Sequence, residues 1–423
     1  MTSVFFITQG CSANIADSEI MAGLLEKEGF NVVDDVIMAN LVVFNTCIVK
    51  GPTESFFRKR MKELIDIGKK IIIAGCIAQS EQFLDEYKDY SMIGTYQVHN
   101  IVQVVEETLN GNIVRLLARE NEPRINLPKV RKNDFIEIVP ISHGCLGSCS
   151  FCKTKQARGN LFSYKQKDIV RHISSSIKQG VEEIWVTSQD LSAYGKDIDT
   201  NLAKLLKDIV TINGSYMIRV GMANPDHILD FLDELIWVFK ENKVYKFLHI
   251  PVQSGNNEVL KKMNRLYAIE DFEYIVKRFR EEIPDITIAT DIICGFPTET
   301  KKQFEDTMDL VKKIKPDVIN ISRFWSRPGT TAAKMKQIAG GEIKKRSSAL
   351  TKLFHKIAKE NNKKWIGRKC KIFVTEEGKN GTYVGRNESY KQVIVNSDIS
   401  LIGDWLDVEI YDVGCFDLKG RIL

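Results

Sequence analysis

Three cysteines, Cys145, Cys149 and Cys152, lie within one short stretch, GCLGSCSFCKTKQARG from Gly144 to Gly159, with glycines between them. Thiolates that close can hold a metal cluster, because the thiolate is the metal-binding form of cysteine. The spacing C-x₃-C-x₂-C has no further cysteine or histidine following at zinc-finger distance, so a closed tetrahedral zinc site is poorly served. A cubane of four irons takes one thiolate per iron, and three local cysteines leave one iron open to a ligand that is not protein. Gly144 and Gly147 let the backbone curl so that the thiols converge and N–H groups approach the cluster sulfurs. A redox or structural cysteine cluster is the other chemistry open to these residues.

The C-x₃-C-x₂-C loop, with Phe151 just before its last cysteine, resembles the signature of radical S-adenosylmethionine enzymes. The resemblance implies that the open iron binds the amino and carboxylate groups of S-adenosylmethionine, whose reductive cleavage gives a 5′-deoxyadenosyl radical.

A second set of cysteines becomes visible from the elements that must position it. Ser3–Gln9, Ala39–Asn45 and Lys70–Ala74 read as strands, being β-branched, aromatic and nearly continuous in apolar residues. Between them lie helical patterns at Ala16–Gly29, with Ile20, Met21, Leu24 and Leu25 on one face, and at Thr53–Gly68. Such alternation predicts a parallel sheet. Cys11, Cys47 and Cys76 each sit just past the carboxyl end of one of these strands, where ligands of open α/β sheets bind. A single cysteine there is ordinarily packing, but three of three predict a second thiolate cluster. A helix over Asn100–Asn110 closes this first domain, 1–120, and the polar, proline-bearing stretch Glu120–Asn133 reads as a linker.

From Phe135 the pattern resumes. Strands are expected at Ile136–Ile141, Glu183–Thr187, Tyr216–Val220, Lys246–Ile250, Ile286–Ile293 and Asp317–Arg323, with helices at Lys165–Gln179, Leu202–Thr211, Ile228–Lys240, Glu270–Glu282 and Thr300–Ile314. Six β/α repeats with the Cys145 loop directly after the first strand predict a partial (β/α)₆ barrel over 134–361. Barrel sites gather at the carboxyl ends of the strands. That makes Ser188, Gln189, Asp190, Gly221–Asn224, Gln253, Ser254, Asp291, Arg323, Phe324, Trp325 and Arg327 ligand candidates, each of which alone also reads as a capping or turn residue. As a set they suit a zwitterionic, adenine-bearing cofactor and a base, with Gln189, Gln253, Ser254 and Asp291 assigned to the cofactor.

The last segment, 362–423, has short strands at Lys371–Thr375, Gly381–Gly385, Gln392–Val395 and Trp405–Tyr411 between glycine-rich turns. It reads as a small antiparallel β-barrel of the OB-like kind. Arg386, Tyr390 and Lys391 beside Tyr383 mix charge and aromatic faces in a way that suits an RNA strand, a plain packing module being the other reading of this segment. A basic run from Glu342 to Lys371 reads as a solvated helix face or a polyanion-binding stripe. The whole is therefore expected to be an α/β protein of three parts.

Composition sets the surroundings. With 423 residues, 43% hydrophobic and 27% charged, the chain can build two to three cores. Nine cysteines is an odd number, which speaks against a disulfide framework and for metal binding in a reducing compartment. No apolar run approaches the roughly 18 to 20 residues of a membrane span, and the start, MTSVFFITQG, lacks a basic segment ahead of an apolar core. A cytoplasmic protein without a membrane anchor is expected. The net charge of +5 does not by itself indicate nucleic acid. Cys294 reads as core, and Cys370 and Cys415 have no partners at useful spacing.

The order of parts resembles the methylthiotransferase family along essentially the full length, through QGCSANIADSE, FNTCIVKGPTE, IAGCIAQ, GCLGSCSFCKTKQARG, HIPVQSGNNEVLKKMNR and DIICGFPTET. KTKQARG and RVGMANP (Arg219–Pro225) look most like the archaeal and eukaryotic branch, which modifies N6-threonylcarbamoyladenosine at tRNA position 37. The resemblance implies two [4Fe-4S] clusters, one on Cys145, Cys149 and Cys152 and an auxiliary one on Cys11, Cys47 and Cys76, together with S-adenosylmethionine. It also implies a C-terminal TRAM module, the anticodon stem-loop of tRNA as partner, an electron donor such as flavodoxin or ferredoxin, an unknown sulfur donor, and a monomer. Thiolation of another tRNA base or of a ribosomal protein is the nearest alternative. A non-catalytic iron–sulfur protein, binding RNA or carrying electrons, is the more distant one.

Overall fold

The computed structural model describes residues 2–48, 51–80 and 83–423. Near the amino terminus six strands form one parallel sheet: β1 (Ser3–Thr8), β2 (Asn31–Val33), β3 (Leu41–Thr46), β4 (Lys70–Gly75), β5 (Ser91–Ile93) and β6 (Arg115–Leu116), in the order β2-β1-β3-β4-β5-β6. The three cysteine-terminated strands are the central neighbours β1, β3 and β4. Strands β2, β5 and β6, too short to stand out in the sequence, extend the sheet to its edges. Both faces of the sheet are covered. Phe44, Phe57, Ile71 and Ile73 form one core, and Val4, Ile20, Leu41 and Ile101 the other.

The first helix runs over Ser12–Lys27, beginning directly after Cys11 and four residues before the expected start. Its opening turns carry Asn14, Asp17, Ser18 and Glu19, all buried. A polar stretch reads as solvent-facing by pattern; here it faces the rest of the protein instead.

The middle of the chain is the expected partial barrel. Strands β7 (Ile136–Pro140), β10 (Glu183–Thr187) and β11 (Met217–Val220) form one parallel sheet, and β12 (Phe247–His249), β13 (Thr287–Cys294) and β14 (Val318–Arg323) another. Parallel bridges Ile218–Val244 and Met222–His249 carry the strand order across the gap. A small antiparallel pair, β8 (Ser142–His143) and β9 (Phe162–Ser163), brackets the cysteine loop. Alternate residues Val139, Ile184, Ile218, Leu248 and Ile288 face the surrounding helices in one continuous core.

The carboxyl-terminal strands β15 (Lys369–Glu377), β16 (Thr382–Asn387), β17 (Gln392–Asn396), β18 (Trp405–Val413) and β19 (Leu418–Ile422) close into a barrel ordered β15-β16-β17-β19-β18. Helix Gly340–Lys363 leads into it. Ile343, Leu350, Phe354 and Ala358 of that helix are buried, while Lys344, Lys345, Lys352, Lys356, Lys359 and Lys363 stay exposed. Arg346 of the basic run is the exception: buried, it pairs with Glu299 at 2.7 Å. Among the described residues no helix is long and apolar enough to cross a membrane.

Candidate functional site

Cys47 directly follows β3 and Cys76 directly follows β4, while Cys11 lies just beyond β1. Parallel strands stand about 4.8 Å apart, so the sheet brings the three loops together. Gly10 has φ +112°, and a Cβ on it would stand 2.8 Å from Cβ of Cys47; one on Gly75 (φ +85°) would meet Asn45 Oδ1 at 2.2 Å. Only glycine permits this approach. Asn14, fully buried, joins the loops: its Nδ2 donates to Gln9 O (2.9 Å) and Thr46 O (2.7 Å). Its Oδ1 lies 3.7 Å from Cys11 Sγ and 3.9 Å from Cys76 Sγ. Burial pushes the Cys76 thiol up to about 12, with Arg158 opposing and Cys47 and Cys11 adding to the rise. Such a thiol needs a metal to become a ligand. Val49 and Lys50 of this stretch lie outside the described residues.

The second trio lies beyond β7. Gly144, at φ +74°, passes so close to Asn160 that a Cβ would stand 1.9 Å from its carbonyl oxygen. Gly147 N donates to Cys145 Sγ at 3.2 Å, and a Cβ on Gly147 would lie 3.4 Å and 3.7 Å from the Cys145 and Cys149 sulfurs. The loop is clamped from two sides. Ser150 N donates to Met263 O (2.9 Å), Ser150 Oγ to Lys262 O (2.8 Å) and Asn264 Nδ2 to Ser148 O (2.9 Å), while Ala332 N donates to Ser150 O (2.8 Å). Phe151 packs edge-on against Phe296, and half-buried Arg265 lies over Phe151 while donating to Asn224 Oδ1 (2.8 Å). Burial raises the Cys145 thiol to about 12 and lifts Cys149 as well.

All six cysteines are free of disulfides. Among the described residues no three or more His, Cys, Asp or Glu side chains are gathered as a single metal ion would require. Two sets of three soft thiols, with no imidazole or carboxylate among them, match an iron–sulfur cluster better than zinc or a hard cation. These residues could hold one cluster each.

A buried ion network joins the two trios. Helix Thr154–Arg158 starts two residues after Cys152 and packs against helix Cys76–Gln79. From it Arg158, 2% exposed, reaches Asp17 Oδ2 (2.8 Å) and donates to Asn14 Oδ1 (2.9 Å). Asp17 Oδ1 accepts from Arg124 Nη1 (2.6 Å). Arg124 Nη2 bonds Thr95 O and lies 3.3 Å from His143 Nδ1; burial, with both guanidiniums, holds His143 well below its usual range and therefore neutral. Thr95 Oγ1 donates to Ala157 O (2.6 Å). Arg124 comes from the stretch read as a linker, which is instead laid into the interface: Lys129 and Arg131 both pair with fully buried Glu137, Arg131 at 2.6 Å. None of Asn14, Asp17, Arg124 and Arg158 stood out as a site residue from sequence. For Asn14 and Asp17 the signal was charge and amide on a helix face that the sheet requires to be buried; Arg124 and Arg158 carried none.

The four residues expected to bind cofactor divide into two places. Gln189 Oε1 accepts from Gly144 N (2.8 Å), fixing the cysteine loop. Gln253, Ser254 and Asp291 meet across β12 and β13. Gln253, at φ +65°, donates through N to Asp291 O (2.8 Å), and Ser254 is fully buried with no hydrogen-bond partner for Oγ among the described residues. Asp291 lies between His249 Nε2 (3.2 Å) and Asn320 Nδ2 (2.7 Å), two barrel-interior residues that sequence reasoning passed over. Asp190 caps its own loop, accepting from Ser192 N and Asn224 N, and Arg323 reaches outward to Ser347 Oγ (2.8 Å).

With this geometry in view, the similarity to known proteins is informative. The chain matches the radical SAM superfamily over residues 139–311, the TRAM domain over 363–423, and the family described as uncharacterized protein family UPF0004 over 3–93. It is 43% identical to the probable threonylcarbamoyladenosine tRNA methylthiotransferase of Pyrococcus horikoshii over 100% of both chains. It is 42% identical to the human threonylcarbamoyladenosine tRNA methylthiotransferase over 99% of this chain and 73% of that one. The chain belongs to the threonylcarbamoyladenosine tRNA methylthiotransferase family. The radical S-adenosylmethionine methyltransferase TsrM of Kitasatospora setae, solved with cobalamin and a [4Fe-4S] cluster, shares the fold at TM-score 0.58 and 16% identity, covering 79% of this chain and 77% of that one. Membership in the radical S-adenosylmethionine superfamily brings S-adenosylmethionine and a [4Fe-4S] cluster as cofactors.

In this family member the TRAM barrel docks on the end of the central barrel away from the cysteine loop. The central barrel's contact residues lie just before its strands: Phe135 against Phe373, Glu182 accepting from Trp405 Nε1, Lys246 N donating to Glu388 O (2.7 Å), Asp285 O accepting from Ser389 Oγ (2.9 Å), and Asp317 paired with Lys391 (2.8 Å). Tyr390, at φ +56°, packs its ring against Tyr245 (4.7 Å) and Phe247 (5.1 Å), with the Arg219 guanidinium over it. This corrects the expectation for Tyr390 and Lys391, which are consumed in docking, and for Tyr383, which is 8% exposed in the TRAM core. An exposed aromatic remains on that module in Tyr411, beneath Arg421, and Lys371 is an exposed basic side chain over half-buried Trp405.

Proposed function

We propose that this protein converts N6-threonylcarbamoyladenosine at position 37 of tRNA to its 2-methylthio derivative. The observation that supports the reading is the packing of the helix that follows Cys152 against the helix that begins at Cys76, tied by Arg158 to Asp17, in a chain related to such enzymes over its whole length. In this reading residues 1–120 hold an auxiliary cluster on Cys11, Cys47 and Cys76. Residues 134–361 hold the radical cluster on Cys145, Cys149 and Cys152, and residues 362–423 contact tRNA. When bound, the clusters and S-adenosylmethionine supply the methylthio group and the radical chemistry needed to replace an adenine C–H hydrogen, a step beyond side-chain acid–base catalysis.

What the chain itself contributes is position and exclusion of water. Asn14 fixes the three auxiliary loops to one another. Arg158 and Asp17 lock that assembly to the helix that follows Cys152, so that the trios keep one separation. Gln189 holds Gly144, and the His249–Asp291–Asn320 set presents a carboxylate inside the barrel mouth for cofactor or base. The lysines along Gly340–Lys363 and the Tyr411–Arg421 face offer the tRNA backbone a cationic, aromatic surface.

The test of this division uses the reconstituted protein, a stem-loop bearing the modified base, and two variants. Cys145→Ala abolishes S-adenosylmethionine cleavage. Cys47→Ala still supports reductive cleavage but forms no methylthio product. Full product formation by Cys47→Ala would refute the division of labour.

A further inference from the structure

Arg327 follows β14 and is 5% exposed, yet its Nη2 has no hydrogen-bond partner among the described residues. Its Nη1 lies 3.6 Å from Glu54 Oε2, and Cys47 is close enough to interact with it electrostatically. Lys153, the residue after Cys152, is 7% exposed and also interacts electrostatically with Arg327; its Nζ donates to Pro328 O at 2.9 Å. The Arg327 segment is pinned to the cysteine loop by Ala332 N donating to Ser150 O (2.8 Å) and Gln156 Nε2 to Gly329 O (3.1 Å). Two buried cations thus stand beside the Cys145 loop, with Arg327 within electrostatic reach of Cys47, answered by one partly exposed carboxylate whose distance from Arg327 is longer than a hydrogen bond. A buried charge without a matched counter-charge is costly. The arrangement calls for an anion, and a guanidinium with a vacant N–H edge is suited to a planar carboxylate.

We propose that Arg327 and Lys153 form the subsite for the carboxylate carried by the N6 substituent of the target adenine. The inference rests on the proposed substrate, because N6-threonylcarbamoyladenosine carries a free carboxylate on its threonyl part and unmodified adenosine carries none. It makes these residues readers of the earlier modification. A cation pair there rejects an adenine whose N6 group is neutral, since the pair then stays buried and unanswered. It also orders two reactions: the one that installs the carboxylate must precede this one.

Binding measured by fluorescence anisotropy, under anaerobic conditions and with the full-length reconstituted protein, tests this with three stem-loop RNAs. They carry adenosine, N6-threonylcarbamoyladenosine, or its carboxamide analogue at position 37. The wild type binds the carboxylate RNA roughly ten- to a hundredfold more tightly than the other two, as a charge-assisted hydrogen bond implies. Arg327→Gln and Lys153→Gln lose most of that preference while binding adenosine RNA as the wild type does. The carboxamide comparison uses unaltered protein and so does not depend on any variant folding. An undiminished preference in both variants overturns the proposal. Equal loss for all three RNAs marks a phosphate contact and also overturns it, and so does loss of S-adenosylmethionine binding, which assigns the cations to the cofactor's carboxylate. Methylthiolation by a wild type that shows no carboxylate preference refutes this subsite alone. Absence of methylthiolation on the carboxylate RNA refutes the proposed function.

Discussion

Replacing Asp17 by Asn tests whether the buried ion network holds the two cysteine-bearing regions together. The substitution keeps the side chain's volume and removes the one carboxylate shared by Arg124 at 2.6 Å and Arg158 at 2.8 Å. All three residues are at most 8% exposed, so water cannot take the carboxylate's place. Removing one partner of a buried pair costs about 3–5 kcal/mol, because the remaining charge stays desolvated. An exposed pair would cost less than about 1 kcal/mol. For a unit of this size the expected fall in melting temperature is on the order of 10 °C. The assay is differential scanning fluorimetry of Asp17→Asn, Arg158→Met and the double variant, all anaerobically reconstituted. The double variant should be more stable than the sum of the single losses by about 1–3 kcal/mol, since the two groups are in contact. Additive effects, or a shift for Asp17→Asn of only a degree or two, would refute the view that this carboxylate is the interface's counter-charge.

Other consequences follow from single contacts. Gly159 has φ +69°, and a Cβ there would stand 1.8 Å from Tyr96 Oη, so Gly159→Ala should lower stability by about 1–3 kcal/mol, with partial recovery in Tyr96→Phe, read by thermal melting. Lys391→Met removes the ion pair to Asp317 and the bond to Asn362 Oδ1 (3.1 Å), leaving a buried carboxylate without its paired cation; it should speed proteolysis between helix Gly340–Lys363 and the TRAM barrel at least severalfold in a time-course digestion. Glu137 is fully buried; although burial alone would raise it, His172 and Lys129 beside it, with Arg131 also paired to it, hold its carboxyl well below the usual carboxylate range. A group depressed in the folded state contributes stability above its unfolded pKa and loses it as pH falls toward the folded one. Urea midpoints of the wild type should therefore drop from about pH 5 downward, and Glu137→Gln should flatten that slope.

What the sequence made legible was whatever its local pattern encodes. That Cys11, Cys47 and Cys76 lie on neighbouring loops was readable because each follows an apolar strand, and that Cys145, Cys149 and Cys152 are neighbours because they share a loop. The early start of the first helix was not readable. Asn14, Asp17 and Glu19 look solvent-facing until Arg158, Arg124 and Lys129, more than a hundred residues away, are folded against them. Strands β2, β5 and β6 are two or three residues long and owe their conformation to a neighbour already in place. The last strand of the TRAM barrel, Leu418–Ile422, buries only Leu418 and Gly420, an alternation too brief to see. Tyr390 and Lys391 were misread for a related reason: an aromatic and a basic residue in a turn suit RNA equally well or an aromatic-lined barrel end, and only tertiary docking decides between them.

The most direct test of the whole account is mass spectrometry of tRNA nucleosides from cells deleted for this gene, with and without its restoration. The account predicts that 2-methylthio-N6-threonylcarbamoyladenosine disappears on deletion, returns with the wild type, and does not return with Cys145→Ala or Cys47→Ala. An unchanged level of that nucleoside after deletion would contradict it.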